Sequence, residues 1–521
     1  MYLGFDLSTQ QLKVIITDEG LQNLVFETVV KFDDDLPDFK TDGGVYIHED
    51  QLTVTAPTVM WVKAFDLALT QIKEAKLDVS KIQAISGTGQ QHGSVYWKNG
   101  SKNLLNNLDP NKTLNEQLKD VFSVSNSPIW MDSSTEKQCQ QLEEAVGGAQ
   151  ELANITGSPA QCRLTGNQIA KIYQTNREAY LNTERIGLVS SLGISLFIGD
   201  YSPIDHGDGS GMNLMNFRTK EWNQQCLDAC APSLREKLGS PVPSNSVVGD
   251  IDNYFVERYG FSSNCKVVAG TGDNIATAAG LRLKPGEIAY SLGTSDVVFL
   301  VMNNPIPSID SNIFVSAMEP GTYTVLFCYK NGSLTREYIR NECTDSSWAE
   351  FERILSSTPK GNNSNLGIYH IVQEITPNSV GVYRYNSNDK EVSSFPKDVE
   401  VRAVIEGQFL AKRIHAENKG FDIDPRNRII ATGGASSNTA VLQVLADVFN
   451  MPVFVQNVRN SAALGCAFRA KHGVLGIEKF EDIFKFDTDY SCAAEPDTSV
   501  TQIYSDLAER YRKLEAKIIK S

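Results

Sequence analysis

The sequence repeats one pattern of strands and helices in its two halves. In the first thirty residues the apolar runs YLGFDL, KVIITDEG and LVFETVV predict a three-stranded meander whose first turn, at Ser8–Gln10, is polar. The stretch GEIAYSLGTSDVVFLVM predicts a second hairpin with a polar turn at Gly293–Ser295, and YTVLFCYKNG predicts a third strand beside it. Each meander precedes amphipathic helices and short apolar strands: TAPTVMWVKAFDLALTQIKEA with IQAIS, and VEVRAVIEGQFLAKRIHAEN with RIIATGGA. We therefore expect an α/β fold in which one structural unit occurs twice.

The length of the chain supports the same division. A chain of 521 residues exceeds what a single hydrophobic core usually supports. We place the boundary near Gly280–Pro285, which predicts an N-terminal domain over 1–280 and a C-terminal domain over 281–521. No low-complexity linker separates the two, so we expect a tight hinge.

Charge and cysteine content exclude several classes of protein. The net charge of −15 disfavours nucleic acid and anionic membranes as partners, so any bound phosphate must be attracted locally. The nine cysteines include no C-x-x-C pair, and their odd number argues against a disulfide framework. Cys226 and Cys230 are four residues apart, but the two further ligands that a zinc site needs are absent nearby, so reduced thiols are expected. With no apolar run long enough to span a membrane and no secretory leader pattern at Met1, we expect a cytoplasmic protein.

Three loops have the composition of a phosphate-binding loop: Asp6–Thr9, Gly293–Asp296 and Gly433–Ser436, the last of which is expected to open a helix. Each signal is weak alone, and no G-x-x-x-x-G-K-[ST] motif occurs. Two matched hairpin turns could nevertheless clamp a polyphosphate from both sides. Asp6 lies in an apolar strand, where an unpaired charge is costly. Its carboxylate either accepts hydrogen bonds from the amides of its own turn or contacts Mg²⁺ directly or through water, and the presence of the other two loops favours the metal.

Two further polar clusters follow apolar strands. GTGQQHG places Gln90, Gln91 and His92 at a strand end, and VVAGTGDNIATAAG places Asp273 and Asn274 at another. Such uncharged donors and acceptors suit a neutral polyol, while the glycines let the chain approach a ligand closely. The alternatives are a helix N-cap for Asp273 and an ordinary loop histidine for His92.

These motifs occur in one order along nearly the whole chain: GFDLSTQQLK, GTGQQHGSVYW, PIWMDSSTEKQC, LTGNQIAKIY, GTGDN, SLGTSD and ATGGASSN. Together they resemble those of the FGGY carbohydrate kinases. The resemblance implies the actin/hexokinase/Hsp70 type of α/β fold, in which two ribonuclease-H-like lobes enclose ATP and a sugar in the cleft between them. It implies small-molecule partners and a monomer or homodimer.

The resemblance also implies roles for single residues. The sugar is expected to contact His92, Arg163, Asp273 and Asn274, with Gln91 beside them and Trp130 as a pocket wall. Asp273 matches the family's catalytic aspartate, and Asp6 matches the aspartate that binds metal and phosphate. The nucleotide is expected at these positions, some implied by the family and others by the loop composition: Ser8, Thr9, Gly293, Thr294, Ser295, Trp348, Gly433, Gly434, Ala435 and Asn438.

The activity implied is transfer of the γ-phosphoryl group of MgATP to the terminal hydroxyl of a ketose, D-xylulose in the members that the motifs resemble most. Two alternatives stay open: a family kinase for another substrate such as ribulose or glycerol, and a non-catalytic sugar sensor built on the same fold. A sensor would be expected to lack Asp6 or Asp273, and this sequence has both.

Overall fold

A computed structural model describes residues 1–310, 312–456, 460–487 and 490–520. Strands β1–β23 and helices α1–α20 are numbered in chain order within these residues. The strands are β1 (Tyr2–Leu7), β2 (Gln11–Thr17), β3 (Leu24–Lys31), β4 (Tyr46–Ile47), β5 (Val54–Pro57), β6 (Ala84–Gly89), β7 (Ser94–Lys98), β8 (Asn126–Pro128), β9 (Thr183–Leu188), β10 (Met215–Asn216), β11 (Glu221–Trp222), β12 (Val247–Asp250), β13 (Lys266–Val268), β14 (Thr271–Gly272), β15 (Ile288–Leu292), β16 (Asp296–Met302), β17 (Asn312–Val315), β18 (Tyr323–Tyr329), β19 (Leu366–His370), β20 (Gly381–Tyr385), β21 (Ile429–Thr432), β22 (Val453–Val455) and β23 (Ser491–Ala494). The helices are α1 (Phe32–Asp35), α2 (Thr58–Glu74), α3 (Ser101–Leu105), α4 (Leu114–Leu118), α5 (Glu136–Val146), α6 (Ala149–Thr156), α7 (Thr165–Thr175), α8 (Arg177–Leu181), α9 (Val189–Ile198), α10 (His206–Gly209), α11 (Gln224–Cys230), α12 (Leu234–Leu238), α13 (Asn253–Tyr259), α14 (Asp273–Gly280), α15 (Ser333–Thr344), α16 (Trp348–Ser357), α17 (Lys397–Asn418), α18 (Thr439–Phe449), α19 (Ser461–Leu475) and α20 (Thr501–Lys520).

The chain forms two compact units, and each is built from more than one segment. The first unit comprises Met1–Arg282, Pro307–Thr322 and Arg459–Asp487. The second unit comprises Leu283–Ile306, Tyr323–Val458 and Thr488–Ser521. The division into a sugar-binding domain over 1–280 and a nucleotide-binding domain over 281–521 concerns function and stays a prediction.

The sheet of the first unit contains the predicted meander. Its strand order is β12-β13-β6-β1-β2-β3, with β14 also paired to β6. Strands β1, β2 and β3 are antiparallel neighbours, whereas β1, β13 and β14 all run parallel to β6. Since parallel neighbours end at the same edge of a sheet, the loops after β1, β6 and β14 meet there.

Helix α19 packs closely against this sheet and against α14. This close packing requires glycine at two positions, Gly4 and Gly465. A Cβ atom on Gly4 of β1 would lie 2.1 Å from the Ala463 carbonyl oxygen of α19. A Cβ atom on Gly465 of α19 would lie 2.0 Å from the Ala276 carbonyl oxygen of α14. Any larger residue would push these backbones apart. The strand that carries Asp6 and the helix that begins at Asp273 are therefore both fixed by α19.

Aromatic side chains fill the core on the face of the sheet covered by α2 and α9. The Phe5 ring centroid lies 5.1 Å from that of Phe65 on α2 and 5.9 Å from that of Phe197 on α9. All three side chains are buried. Burying an apolar side chain of this size contributes roughly 1.5–3 kcal/mol, so the two helices are held firmly to the sheet.

The second unit repeats the strand order of the first. Its sheet has the order β18-β16-β15-β21-β22-β23, in which β15, β16 and β18 form an antiparallel meander. Strands β21 and β22 follow in parallel with β15. Numbered along each meander, both sheets have the order 3-2-1-4-5, with β6 and β13 in the first unit matching β21 and β22. This repetition confirms the predicted duplicated α/β fold.

Helix α17 forms the centre of the second unit. It packs against α15, α16, α18, α20 and β19, and most of its side chains from Glu400 to Ala416 are buried.

No helix in the described part of the chain is long and apolar enough to cross a membrane.

Candidate functional site

The two polar motifs of the first unit meet at the carboxyl edge of its parallel strands. Gly89 at the end of β6 is paired with Leu7 of β1 and with Gly272 of β14. The Thr88 hydroxyl donates to the Thr271 carbonyl oxygen over 2.7 Å, which joins the two motifs just before they turn. The side chains after these strands, Gln90 to His92 and Asp273 to Asn274, are thereby brought together. In α/β sheets this edge is the usual place for a ligand.

Asp273 is the first residue of α14, and its carboxylate is held by both motifs. The N-cap of the helix is Gly272, so the alternative of an N-cap aspartate is wrong. Its Oδ1 accepts a hydrogen bond of 2.8 Å from the Asn274 backbone N–H, and the Gln91 backbone N–H also donates to the carboxylate. Burial and the negative charge of Asp6 raise the pKa of Asp273 to about 7, although these hydrogen bonds oppose the rise. A carboxylate of this basicity can accept a proton near neutral pH.

Several polar atoms around Asp273 are buried without a hydrogen-bond partner within the described residues. The Asn274 side-chain amide donates to Gln91 Oε1 over 2.6 Å, but the Gln91 amide nitrogen makes no such bond. The other buried atoms of this kind are Asp6 Oδ1, Gln90 Oε1 and Nε2, Asp208 Oδ1 and Thr271 Oγ1. Leaving a buried polar atom unpaired costs about 1–3 kcal/mol. The concentration of these unpaired polar atoms at one edge of the sheet indicates a site where a polar ligand supplies the missing hydrogen bonds.

His92 is neutral and presents a hydrogen-bond acceptor. Its Nδ1 lies 3.0 Å from the Gly211 carbonyl oxygen. Because a carbonyl only accepts, Nδ1 carries the proton and Nε2 has a free lone pair. Burial and the positive charge of Arg163 lower the pKa of His92 to about 3. Nε2 can therefore accept a hydrogen bond from a hydroxyl group at any physiological pH.

The structure places Arg163 and Trp130 in the same unit. Arg163 is half-buried, and its Nη2 donates to Gln161 Oε1 over 2.8 Å. The Trp130 indole is exposed over 42% of its surface and donates from Nε1 to the Thr9 hydroxyl over 2.8 Å. Trp130 thus supports the turn between β1 and β2.

Asp6 could supply a carboxylate ligand to a cation whose other ligands are phosphate oxygens and water. Burial raises the pKa of Asp6, while a hydrogen bond from Ser8 and the charge of Lys13 lower it less strongly. Its buried Oδ1 has no partner among the described residues, and its charge acts directly on Asp273. The described residues contain no cluster of three or more His, Cys, Asp or Glu side chains able to hold a metal. Mg²⁺ matches this arrangement, since it typically takes one or two carboxylates plus phosphate oxygens and water.

The second unit contains a cavity of about 560 Å³ that collects most of the predicted nucleotide residues. The predicted residues that line it are Gly293, Thr294, Trp348, Gly434, Ala435 and Asn438. The predicted Ser295 and Gly433 adjoin these in the chain, and Ser8 and Thr9 lie on the β1–β2 turn of the first unit. Lining residues that the sequence analysis missed are Leu292, Ser333, Arg336, Glu337, Glu352, Ser437 and Val441. Helical periodicity alone gives no signal for those on α15 and α16.

The turn at Gly433 differs from the sequence prediction. Residues Gly434–Ser437 form a 3₁₀ turn, and α18 begins only at Thr439. Asn438 is its N-cap, accepting a hydrogen bond of 3.0 Å from the Val441 N–H. Gly433 has a φ of +86°, and a Cβ atom there would lie 2.7 Å from the Leu292 carbonyl oxygen. The strand therefore reverses sharply before the helix, so the glycines form a separate turn at the cavity wall.

Trp348 offers a half-exposed aromatic face at the same cavity. It begins α16 after the N-cap residue Ser347, and 36% of its surface is exposed. The Arg340 guanidinium lies 4.6 Å from its ring centroid, and Phe351 packs edge-on against it at 5.4 Å. These contacts fix the ring while leaving surface available for a flat ligand.

A repeated α/β fold with buried polar side chains at a sheet edge of one unit, and a cavity lined by glycine turns in the other, fits the class of a two-domain sugar kinase. Comparison with known families agrees: 118–280 match the N-terminal domain, and 288–473 the C-terminal domain, of the FGGY family of carbohydrate kinases. The chain belongs to this family.

Individual relatives narrow the comparison further. The chain is 55% identical to the xylulose kinase of Rattus norvegicus over 519 residues, covering 99% of this chain and 97% of the relative. It is 47% identical to xylulose kinase 2 of Arabidopsis thaliana over 491 residues, covering 91% and 87%. Among solved structures, the ligand-bound xylulose kinase from Lactobacillus acidophilus has a TM-score of 0.77 at 19% identity, covering 100% of this chain and 98% of that one. At that identity the structural likeness speaks for the fold alone.

Proposed function

We propose that the chain transfers the γ-phosphoryl group of ATP to the terminal hydroxyl of D-xylulose, giving D-xylulose 5-phosphate and ADP. The main observation behind the proposed chemistry is the Asp273 carboxyl, which has a pKa of about 7. It lies between two polar motifs that contain buried polar atoms without hydrogen-bond partners among the described residues. The identity of 55% to a protein named xylulose kinase supports the choice of sugar.

The first unit would bind the sugar through hydrogen bonds matched to hydroxyl groups. His92 Nε2 accepts from one hydroxyl, and Arg163 donates to another. The amides of Gln91 and Asn274 both donate and accept, so they read hydroxyls in either orientation. Trp130 forms a wall beside them. Among the described residues assigned here to the sugar, Arg163 alone carries a positive charge, so the site favours a neutral polyol over a sugar acid.

Asp273 would act as the general base. As the hydroxyl oxygen bonds to the γ-phosphorus, its proton passes to the Asp273 carboxylate, and the bond from that phosphorus to the bridging oxygen of ADP breaks. The Gln91 and Asn274 N–H groups keep the carboxylate oriented toward the hydroxyl. Asp6 would hold Mg²⁺, which supplies charge neutralisation for the phosphates.

The cavity of the second unit would bind ATP. Its volume of about 560 Å³ lies within the usual range for ligand sites, about 300–1,000 Å³. Trp348 would contact the adenine, and Gly433, Gly434, Ala435 and Asn438 would surround the neighbouring part of the nucleotide. The backbone amides of Gly293–Ser295 would donate hydrogen bonds to phosphate oxygens.

A coupled assay of ADP formation tests this proposal directly. With D-xylulose, D-ribulose, glycerol and gluconate offered separately, we expect turnover to be fastest by far with D-xylulose. A preference for ribulose or glycerol would replace the substrate and keep the class of enzyme. Absence of turnover together with measurable sugar binding would favour the sensor.

The Asp273→Asn variant tests the mechanism in the same assay. General base catalysis contributes about 10²–10⁴-fold, so we expect turnover to fall by that factor while D-xylulose still binds. Turnover within a few-fold of the parent protein would remove Asp273 from the role.

We further propose that the enzyme acts in the cytoplasm as a monomer or homodimer. Cell fractionation would test the compartment, and size-exclusion chromatography with light scattering would test the oligomeric state.

A further inference from the structure

A buried ion cluster lies directly behind the Gly293–Ser295 turn of the second unit. Asp296, the residue after the turn, accepts two hydrogen bonds of 2.9 Å from the Arg336 guanidinium, Nη1 to Oδ2 and Nη2 to Oδ1. Lys412 Nζ lies 3.2 Å from the same carboxylate. Asp296 and Arg336 are 0% and 1% exposed. Burial alone would raise the pKa of Asp296, but the two cations hold it below its usual value.

Arg336 uses all four of its terminal N–H bonds within the protein. Besides the bonds to Asp296, Nη1 donates to Gln408 Oε1 and Nη2 donates to Ser333 Oγ, each over 2.8 Å. Gln408 in turn donates to the Asn331 carbonyl oxygen over 2.8 Å. The guanidinium plane therefore joins β16, α15 and α17. It cannot swing into the cavity without breaking several charged hydrogen bonds.

The start of α15 transmits this arrangement to the turn. The Ser333 backbone N–H donates to the Gly293 carbonyl oxygen over 3.0 Å. A Cβ atom on Gly332 would lie 2.7 Å from the Asp296 nitrogen and 2.8 Å from the Thr294 carbonyl oxygen, so only glycine permits this approach. Ser333 and Arg336 also line the same cavity as Gly293 and Thr294. A movement of Arg336 would consequently displace the turn itself.

We propose that Arg336 is a positioning residue that holds the Gly293–Ser295 turn in the conformation that receives the phosphates of the nucleotide. This inference rests on the proposed function, because it takes the cavity to be the ATP site. Arginine is required because lysine offers one ammonium group and cannot make a planar fork to Asp296, Gln408 and Ser333 at once.

Isothermal titration of the full-length protein with ATP and, separately, with adenosine tests the proposal. Adenosine reports the Trp348 side of the cavity and has no phosphates. In Arg336→Lys we expect the Kd for ATP to rise by about 10–100-fold, the scale expected when a hydrogen bond to a charged group is lost, while the Kd for adenosine stays the same. Gln408→Met removes one acceptor of Arg336 and lies outside the cavity lining; we expect a smaller loss in the same direction.

Arg384→Lys is the matched control. Arg384 makes a comparable pair with Glu400, with Nε 2.9 Å from both carboxylate oxygens, and it does not line the cavity. It should leave both affinities unchanged. An equal loss of ATP and adenosine affinity in Arg336→Lys and Gln408→Met would show a merely structural role and overturn the proposal, as would unchanged ATP affinity in both. Failure of the parent protein to bind ATP would refute the proposed nucleotide site instead.

Discussion

Replacing Asp273 with asparagine should stabilise the ligand-free protein at alkaline pH. Burial and the Asp6 charge raise the pKa of Asp273 from the ordinary aspartate value of 3.8 to about 7 on folding. A carboxyl group with a raised pKa favours the folded state only in its protonated form. The penalty is thus absent below about pH 4, grows as pH rises toward 7, and is complete above it. A shift of about 3 pKa units at 1.36 kcal/mol per unit gives at most about 4 kcal/mol.

The stabilisation we expect at pH 8 is about 2–4 kcal/mol, because the Asp273 side chain keeps partial contact with solvent. Asparagine also keeps an oxygen that can accept from the Gln91 and Asn274 N–H groups. Urea unfolding of both proteins in chelator, at steps from pH 4.5 to 8.5, would measure the difference in the free energy of unfolding. Asp50→Asn is the control: hydrogen bonds lower the pKa of this exposed carboxyl to about 2, so its effect should not vary over that pH range. A pH-independent difference for Asp273→Asn, or a loss of stability at pH 8, would refute the electrostatic reasoning.

Three other outcomes follow from the structure. The kcat/KM for ATP, which reports the ligand-free enzyme, should fall as pH is lowered through about 7, because a protonated Asp273 cannot accept the hydroxyl proton; a profile of kcat/KM that is flat from pH 8 to 5.5 would contradict this. Trp348→Ala should raise the KM for ATP by about 5–150-fold, the equivalent of 1–3 kcal/mol of base stacking, without changing the KM for D-xylulose; an equal rise in both constants would argue against an adenine contact. Gly4→Ala should destabilise the protein by about 3 kcal/mol or more, since its Cβ would sit 2.1 Å from a backbone oxygen, whereas Gly20→Ala, whose nearest atom is 3.6 Å away, should have little effect; similar melting temperatures for the two variants would show that α19 can shift.

Each polar motif of the first unit could be predicted from sequence because a strand and the turn after it are local features. Apolar runs identify β1, β6 and the strand before Asp273, and parallel strands must end at one edge. That Gln91 and Asp273 lie together depends on the pairing of β6 with β14, whose partners Thr88 and Thr271 are 183 residues apart, and no local pattern predicts that pairing. The state of His92 could not be predicted, since it depends on the Gly211 carbonyl, 119 residues away in sequence.

The second unit shows a different limit of prediction. Arg336 lies on α15, where helical spacing gives no reason to distinguish it from the half-buried Arg340 on the same helix. Its burial depends on Asp296 and Gln408, which come from other elements and pair with it only in the folded unit. The helix expected to open at Gly433 starts later because the positive φ at this residue sends the chain into a separate turn.

The first unit holds two carboxylates, Asp6 and Asp273, near each other in a protein whose net charge is already −15. Asp6 and Asp273 both have raised pKa values, so the ligand-free unit carries an electrostatic cost that packing elsewhere must offset. A cation at Asp6 would remove one source of that cost and lower the pKa of Asp273. In the proposed mechanism the Asp273 carboxyl would then be ionised more often with the metal bound than without it. Under the proposed mechanism, the cation that neutralises the phosphates would also relieve the repulsion that destabilises the ligand-free unit.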